Sequence, residues 1–355
     1  MPDRGSNPTT KHPRRVLVTG GAGFIGSHLC DQLLAEGRSV VVVDNLSTGR
    51  RSNLPATHED LSFIESDVRE AILGPLTHET FDEIYHLAAA VGVKLVIDDP
   101  ISAIDTNVEL TSAVLRFAAR AGPRQSPAPV LIASSSEVYG KSTKTPFHED
   151  DDSVYGSTTI TRWSYACSKA IDEFLALAYH RQRAVPAVVT RFFNTVGPRQ
   201  LGEYGMVLPR FVAAALDDAP LTVHGDGTQI RCFCDVRDVV EVLPRLLRAP
   251  ACHGRVFNVG SDTPISILDL ANRVKLVLKS KSSVKMVPYA ADYPVGFEDL
   301  LRRVPSLDRL RDAVGFEPRF SLDQTIVDLA ESINRRDVSA LQSSAHTAVS
   351  KGNTR

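Results

Sequence analysis

The stretch Val16-Leu17-Val18-Thr19-Gly20-Gly21-Ala22-Gly23-Phe24-Ile25-Gly26 sets an apolar run against a glycine-rich turn. From Phe24 to Leu34 apolar residues recur at helical spacing and stop at Gly37, so the segment spells strand, tight turn and helix. Glycines at 20, 23 and 26 let backbone approach a pyrophosphate closely, and a helix N-terminus favours its charge. Residues 39–43 follow as a continuous run rich in valine that ends in Asp44. An unbroken apolar strand belongs to a parallel sheet covered on both faces. A carboxylate at its tip accepts hydrogen bonds from a ribose 2′-hydroxyl and repels a 2′-phosphate, which selects NAD over NADP.

Working outward, strands are expected at 63–64, 83–88, 130–134 and 187–192, with helices over 102–121 and 165–182. This alternation predicts an α/β fold, a Rossmann-type doubly wound parallel sheet, with residues 14–193 as the dinucleotide domain. Asp67, Val68, Leu87, Ala88 and Ala89 follow later strands and fit the other edges of the same crevice. From Asn194 the pattern loosens into helices near 208–216, 238–247 and 267–278 and strands near 221–224 and 256–259. Residues 194–335 are therefore expected to form a smaller, interwoven substrate-binding domain, with strand 256–259 returning to the main sheet. Residues 1–13 and 336–355 are polar, lack apolar periodicity and are expected to be disordered tails.

The 355 residues carry a formal net charge of −2, which argues against nucleic acid as the main partner. No apolar run approaches the roughly 18 residues that cross a bilayer, so no membrane role and a cytoplasmic location are expected. Five cysteines in a chain this long do not suggest a disulfide framework. Cys232 and Cys234 are expected to share one face of a strand, but no second Cys/His cluster completes a metal site.

Tyr165 and Lys169 lie four apart and share a face of the expected helix. A nearby ammonium favours phenolate, so Tyr165 is a candidate general base, and Ser135 at the end of the preceding strand is placed to steady the moving proton.

With these motifs in order, the chain resembles an extended short-chain dehydrogenase/reductase of the nucleotide-sugar epimerase/dehydratase family, from Arg14 to about Leu329. The matching residues are Thr19 to Gly26, Asp44-Asn45, Asp67-Val68, Leu87 to Ala89, Asn107, Ser134 to Gly140, Tyr165 to Lys169, Arg191 to Asn194, Gly197 to Arg199, and Gly225 to Arg231. The resemblance implies NAD taking hydride from sugar C4 while Tyr165 takes the O4 proton, with Asn194 and Arg231 on the diphosphate of a UDP-sugar. It also implies a homodimer packed through helices 102–121 and 165–182.

Within the family, Glu137 matches the dehydratases and the UDP-glucuronate decarboxylases, whereas Ser136 departs from the aspartate of glucose-type 4,6-dehydratases. Arg162-Trp163 before Tyr165, and Arg303 within Arg302 to Ser306, resemble decarboxylases that yield a UDP-pentose or UDP-4-keto-pentose. The resemblance thus makes Ser136, Glu137 and Arg303 further catalytic candidates, with Arg162 either in the site or simply helix-terminal. Lys94 departs from the decarboxylase pattern; it would face a carboxylate substrate, Glu137 or solvent. A UDP-glucose or UDP-glucuronate 4-epimerase stays as the alternative, followed by a 4,6-dehydratase and a non-catalytic NAD-binding regulator.

Overall fold

The structure, a computed structural model, describes residues 14–90, 98–202, 206–291 and 300–335. Both expected tails and Lys94 lie outside these residues. The central sheet holds β1 (Arg15–Thr19), β2 (Ser39–Asp44), β3 (Leu61–Glu65), β4 (Glu83–His86), β5 (Val130–Ser135), β6 (Ala187–Phe192) and the Arg255–Val259 strand. All seven are parallel, in the order β3-β2-β1-β4-β5-β6 and then Arg255–Val259. The last strand pairs with β6, so the chain does return to the sheet from its C-terminal half.

Both faces are covered, as the unbroken valines of β2 require. Val16, Val18, Val40 and Val42 pack with α1 (Phe24–Ala35) and the Val236–Arg248 helix. Leu17, Val41 and Val43 face the other way, into the layer built on the Val68–Leu73, Pro100–Ala118 and Arg162–Arg183 helices. Local sequence sets the helix starts. Asp67, Asp99, Asp235 and Ser266 each accept a hydrogen bond from a first-turn amide, satisfying donors that lack an intrahelical partner. A separate apolar cluster of Leu208, Phe211, Val223, Leu270, Val274 and Ile326 supports the smaller part of the chain.

Cys232 and Cys234 do not share a strand. Cys232 ends the Ile230–Cys232 strand, which pairs antiparallel with Pro264–Ser266, whereas Cys234 begins the Cys234–Asp235 strand, which pairs with Thr195–Val196. Both thiols are buried, and the described residues contain no group of three or more His, Cys, Asp or Glu able to hold a metal.

A buried polar network ties the sheet to the Arg162–Arg183 helix. Arg191 donates from Nε and Nη2 to the two oxygens of Glu173, at 2.9 and 2.7 Å, and from Nη1 to the Glu149 carbonyl. The Ser134 hydroxyl donates to the same Glu173 carboxylate, and Arg191 lies 4.7 Å above the Tyr139 ring, whose hydroxyl donates to Asn258. Breaking a buried pair from one side strands a desolvated charge, so Glu173→Gln is expected to lower unfolding free energy by about 3–5 kcal/mol in denaturant titration. Asp323→Asn, which breaks the exposed Arg273–Asp323 pair, should cost less than about 1 kcal/mol in the same assay.

Candidate active site

The carboxyl ends of the strands open into one cleft of about 810 Å³. It is lined by Gly20, Gly23, Phe24, Ile25 and Gly26 after β1, Asp44 and Asn45 after β2, Asp67 and Val68 after β3, and Leu87, Ala88 and Ala89 after β4. Ser135, Ser136, Glu137, Tyr165 and Lys169 form its middle, and Asn194, Arg231 and Arg303 its far wall. Every expected site residue within the described chain therefore faces a single cavity.

The glycine turn is shaped by space. Gly20 has φ +71°, and a Cβ there would stand 2.7 Å from the Ala88 nitrogen; at Gly26 it would stand 2.2 Å from the Gly20 carbonyl oxygen. Asp44 is held at the tip of β2 by hydrogen bonds from the Ala22 and Leu46 amides, at 2.9 and 2.8 Å. Burial raises the pKa of its carboxyl, and those amides oppose the rise. A narrow glycine cradle at the start of α1 with an acidic side chain beside it fits a dinucleotide carrying a free ribose 2′-hydroxyl.

In the middle of the cleft, Ser135 caps the turn Ser136–Tyr139 by accepting from the Glu137 amide at 3.2 Å and is hydrogen-bonded to Tyr165. Lys169 donates from Nζ to Asp172 Oδ2 at 2.6 Å, and both side chains are buried. The ammonium is thus engaged inward, and the phenol is not lowered as the Tyr165–Lys169 spacing alone predicts. Burial and the Glu137 charge push the Tyr165 pKa up, against the Ser135 hydrogen bond. Behind this pair, the His86 imidazole lies between the hydroxyls of Thr19 (2.8 Å to Nδ1) and Thr111 (3.3 Å to Nε2). Burial lowers its pKa to about 3, so it stays neutral.

Glu137 is the focus of three arginines. Arg303 donates from Nη2 to Oε1 at 2.6 Å and from Nη1 to the Ser136 hydroxyl at 3.3 Å. Arg162 donates from Nη2 to both Glu137 oxygens, at 3.3 and 3.4 Å. Burial alone would raise the Glu137 pKa, but the charges of Arg303, Arg162 and Arg231 outweigh it and hold the group ionised. Arg162 is therefore buried within the site rather than merely helix-terminal. Its signal was its place three residues before Tyr165, one helical turn away.

Asn194 donates from its side-chain amide to the Cys232 carbonyl at 2.9 Å, fixing the Ile230–Cys232 strand against the end of β6. Residues that sequence reasoning left out complete the far end: Leu208, Thr222, His224, Gln229, Phe233 and Tyr289. Gln229 donates to the Tyr289 hydroxyl at 2.6 Å, and the His224 and Tyr289 rings lie 6.0 Å apart, 28° from parallel. Tyr289 is 60 positions from Gln229 and carries no local motif, so only the fold brings it here.

A parallel sheet with a glycine cradle, a strand-tip carboxylate and a tyrosine–lysine helix at one cleft defines a dinucleotide-dependent enzyme that oxidises and reduces an alcohol carbon. The sequence matches the NAD dependent epimerase/dehydratase family over residues 16–260, and the chain belongs to that family, with NAD as its cofactor. It is 40% identical over 316 residues to a UDP-N-acetyl-alpha-D-glucosaminuronate decarboxylase of Bacillus cytotoxicus, covering 88% of this chain and 95% of the relative. It is 36% identical over 324 residues to UDP-glucuronic acid decarboxylase 2 of Arabidopsis thaliana, covering 91% of this chain and 68% of the relative. Among solved structures it resembles a UDP-glucose 4-epimerase of Thermus thermophilus in complex with NAD, with a TM-score of 0.77 and 29% identity, covering 90% of this chain and 99% of that one.

Gly26→Ala places a methyl group against the Gly20 carbonyl, so it is expected to weaken NAD binding by roughly tenfold or more while the sheet still forms. The check is NAD content of the purified protein, together with calorimetric titration and circular dichroism.

Proposed function

We propose that this enzyme decarboxylates a UDP-hexuronate, UDP-glucuronate or its 2-acetamido counterpart, through a transient C4 ketone. The observation that carries the proposal is the gathering of Arg303, Arg162 and Arg231 around the single carboxylate of Glu137 beside Tyr165. Guanidiniums offer planar, paired donors that match carboxylate and phosphate oxygens, which suits a sugar that carries its own carboxylate and a diphosphate. Both decarboxylase relatives are named for uronic acid sugars, which supports the same reading.

Residues 14–193 would carry NAD and the chemistry, and residues 194–335 the nucleotide. Gly20, Gly23, Phe24, Ile25 and Gly26 would hold the pyrophosphate, Asp44 and Asn45 the adenosine ribose, Asp67 and Val68 the adenine, and Leu87 to Ala89 the middle of the cofactor. Lys169 would steady the nicotinamide ribose. NAD, when bound, accepts hydride from C4 and can return it. Tyr165 Oη takes the O4 proton, and Ser135 shares that hydrogen bond. The ketone then lies β to the C6 carboxylate, so the C5–C6 electron pair passes to the enolate as carbon dioxide leaves. Arg303, held by Ser136 and Glu137, first orients the carboxylate and then stabilises the enolate charge. Asn194 and Arg231 grip the diphosphate.

We also propose a homodimer. Ile101, Ile104, Ile171 and Phe174 are exposed on two packed helices, Pro100–Ala118 and Arg162–Arg183, with Ile101 and Phe174 72% and 73% accessible. A second copy presenting the same pair would bury them in a two-fold four-helix bundle. All five cysteines are free thiols, which suits a reducing compartment such as the cytoplasm.

The enzyme with NAD is to be incubated with UDP-glucuronate, UDP-N-acetylglucosaminuronate and UDP-glucose, and the products followed by mass spectrometry and proton NMR. Loss of the mass of carbon dioxide from a uronate is expected. Unchanged mass with an inverted C4 proton coupling would instead make this a 4-epimerase. Tyr165→Phe should slow C4 oxidation by roughly 10² to 10⁴-fold, and Arg303→Ala should slow decarboxylation by on the order of 10²-fold without lowering NAD content. For the dimer, Phe174→Glu should shift the protein to a monomer in sedimentation velocity.

A further inference from the structure

Asp172 carries a buried charge that the proposed proton and hydride movements do not use. It lies on the Arg162–Arg183 helix one turn past Lys169, with 0% of its side chain exposed, and its Oδ2 receives the Lys169 ammonium at 2.6 Å. An exposed pair at this spacing would be worth little, and a buried one often stabilises no better than apolar packing of the same volume. Stability therefore gives no reason for a carboxylate here, and the group it serves is the Lys169 ammonium it holds.

The other groups packed around the pair are neutral or already paired. His86 of β4 is held neutral by burial, and the Thr111 hydroxyl of the Pro100–Ala118 helix stands beside the Asp172 carboxyl. Glu173, the next residue on the helix, is bound by Arg191 of β6 and by Ser134 of β5. Towards the cleft stand Tyr165 and Ser135, then Glu137 with Arg303 and Arg162. Asp172 is thus the one carboxylate in contact with Lys169 among the described residues, and Asp172 and Glu137 both oppose ionisation of Tyr165 while Arg303 favours it.

We propose that Asp172 is a positioning residue for the reaction: its carboxylate anchors the Lys169 ammonium from inside the core and offsets the positive charge through which that ammonium favours the Tyr165 phenolate. The proposal rests on Tyr165 being the general base. Removing the Asp172 charge while keeping its shape lets Lys169 act on the phenol at full strength. The base then ionises more easily, and the acid limb of the pH–rate profile moves down. A carboxylate that only filled space would leave the limb where it is.

The test is the pH dependence of kcat/KM with the UDP-hexuronate that is turned over. It is read beside the ultraviolet phenolate titration of the NAD-bound protein, with Tyr165→Phe as the blank. Asp172→Asn is expected to move both acid limbs to lower pH by roughly half to one unit, as loss of one nearby negative charge does at an effective dielectric of about 20. Asp172→Glu, which keeps the charge, should hold the limb near the wild-type position. Should Asp172→Asn not fold, Asp172→Ser removes the charge, leaves room for a water on the ammonium and reads the same shift. An acid limb coincident with wild type or moved to higher pH in the uncharged variant, with Tyr165→Phe inactive, overturns the role of Asp172 alone. Full turnover by Tyr165→Phe overturns the base assignment and this proposal with it.

Discussion

Parallel strand pairing is the constraint on which the rest of the molecule depends. Because β1 lies between β2 and β4 and every neighbour in the seven-stranded sheet runs the same way, all the carboxyl ends emerge on one side. Residues far apart in sequence are thereby delivered to one rim: Gly20 after β1, Asp44 at the end of β2, Asp67 after β3, Leu87 after β4, Ser135 at the end of β5 and Asn194 after β6. Apolar side chains fill most of both faces, and among the charges buried on the strands Arg191 of β6 is paired with Glu173 and Glu83 of β4 with Arg248.

The buried arginines divide into two electrostatic kinds. Arg191 meets Glu173 through two hydrogen bonds and gives an Nη1 donor to a carbonyl, so its charge is matched and its effect is local rigidity. Arg303 and Arg162 converge on one carboxylate, with the charge of Arg231 acting on it as well, and all of them line the cleft beside Tyr165. The first arrangement locks elements together, and the second sets planar guanidinium donors at the wall of the cleft.

The parts of this molecule legible in sequence are those encoded locally. The glycine turn, the valine strand ending in Asp44 and the Ile267–Leu278 helix fall where periodicity puts them, the last because Ser266 caps its start and Lys279 closes it with left-handed backbone. The Arg162–Arg183 helix starts three residues ahead of the expected Tyr165, a boundary that sequence does not mark because Thr161 makes no side-chain cap. Cys232 and Cys234 were misplaced because alternation in a short run cannot reveal that Phe233 lies between strands with different partners. Tyr289 and Gln229 meet only through the fold, and Asp172 reads in sequence as an ordinary surface neighbour of Lys169 until its burial is known.

That burial changes how the tyrosine–lysine motif works. Four-residue spacing implies an ammonium free to act on the phenol, yet Lys169 is committed to Asp172, and Tyr165 is further opposed by its own burial and by Glu137. In the proposed role of general base, Tyr165 needs positive charge from elsewhere before it can accept a proton; Arg303 favours its ionisation, and an oxidised nicotinamide would add to that. On that proposal a phenol held protonated until both are in place would not deprotonate the sugar without an acceptor for its hydride, and the electrostatics that weaken the motif in isolation would tie proton removal to the step it accompanies.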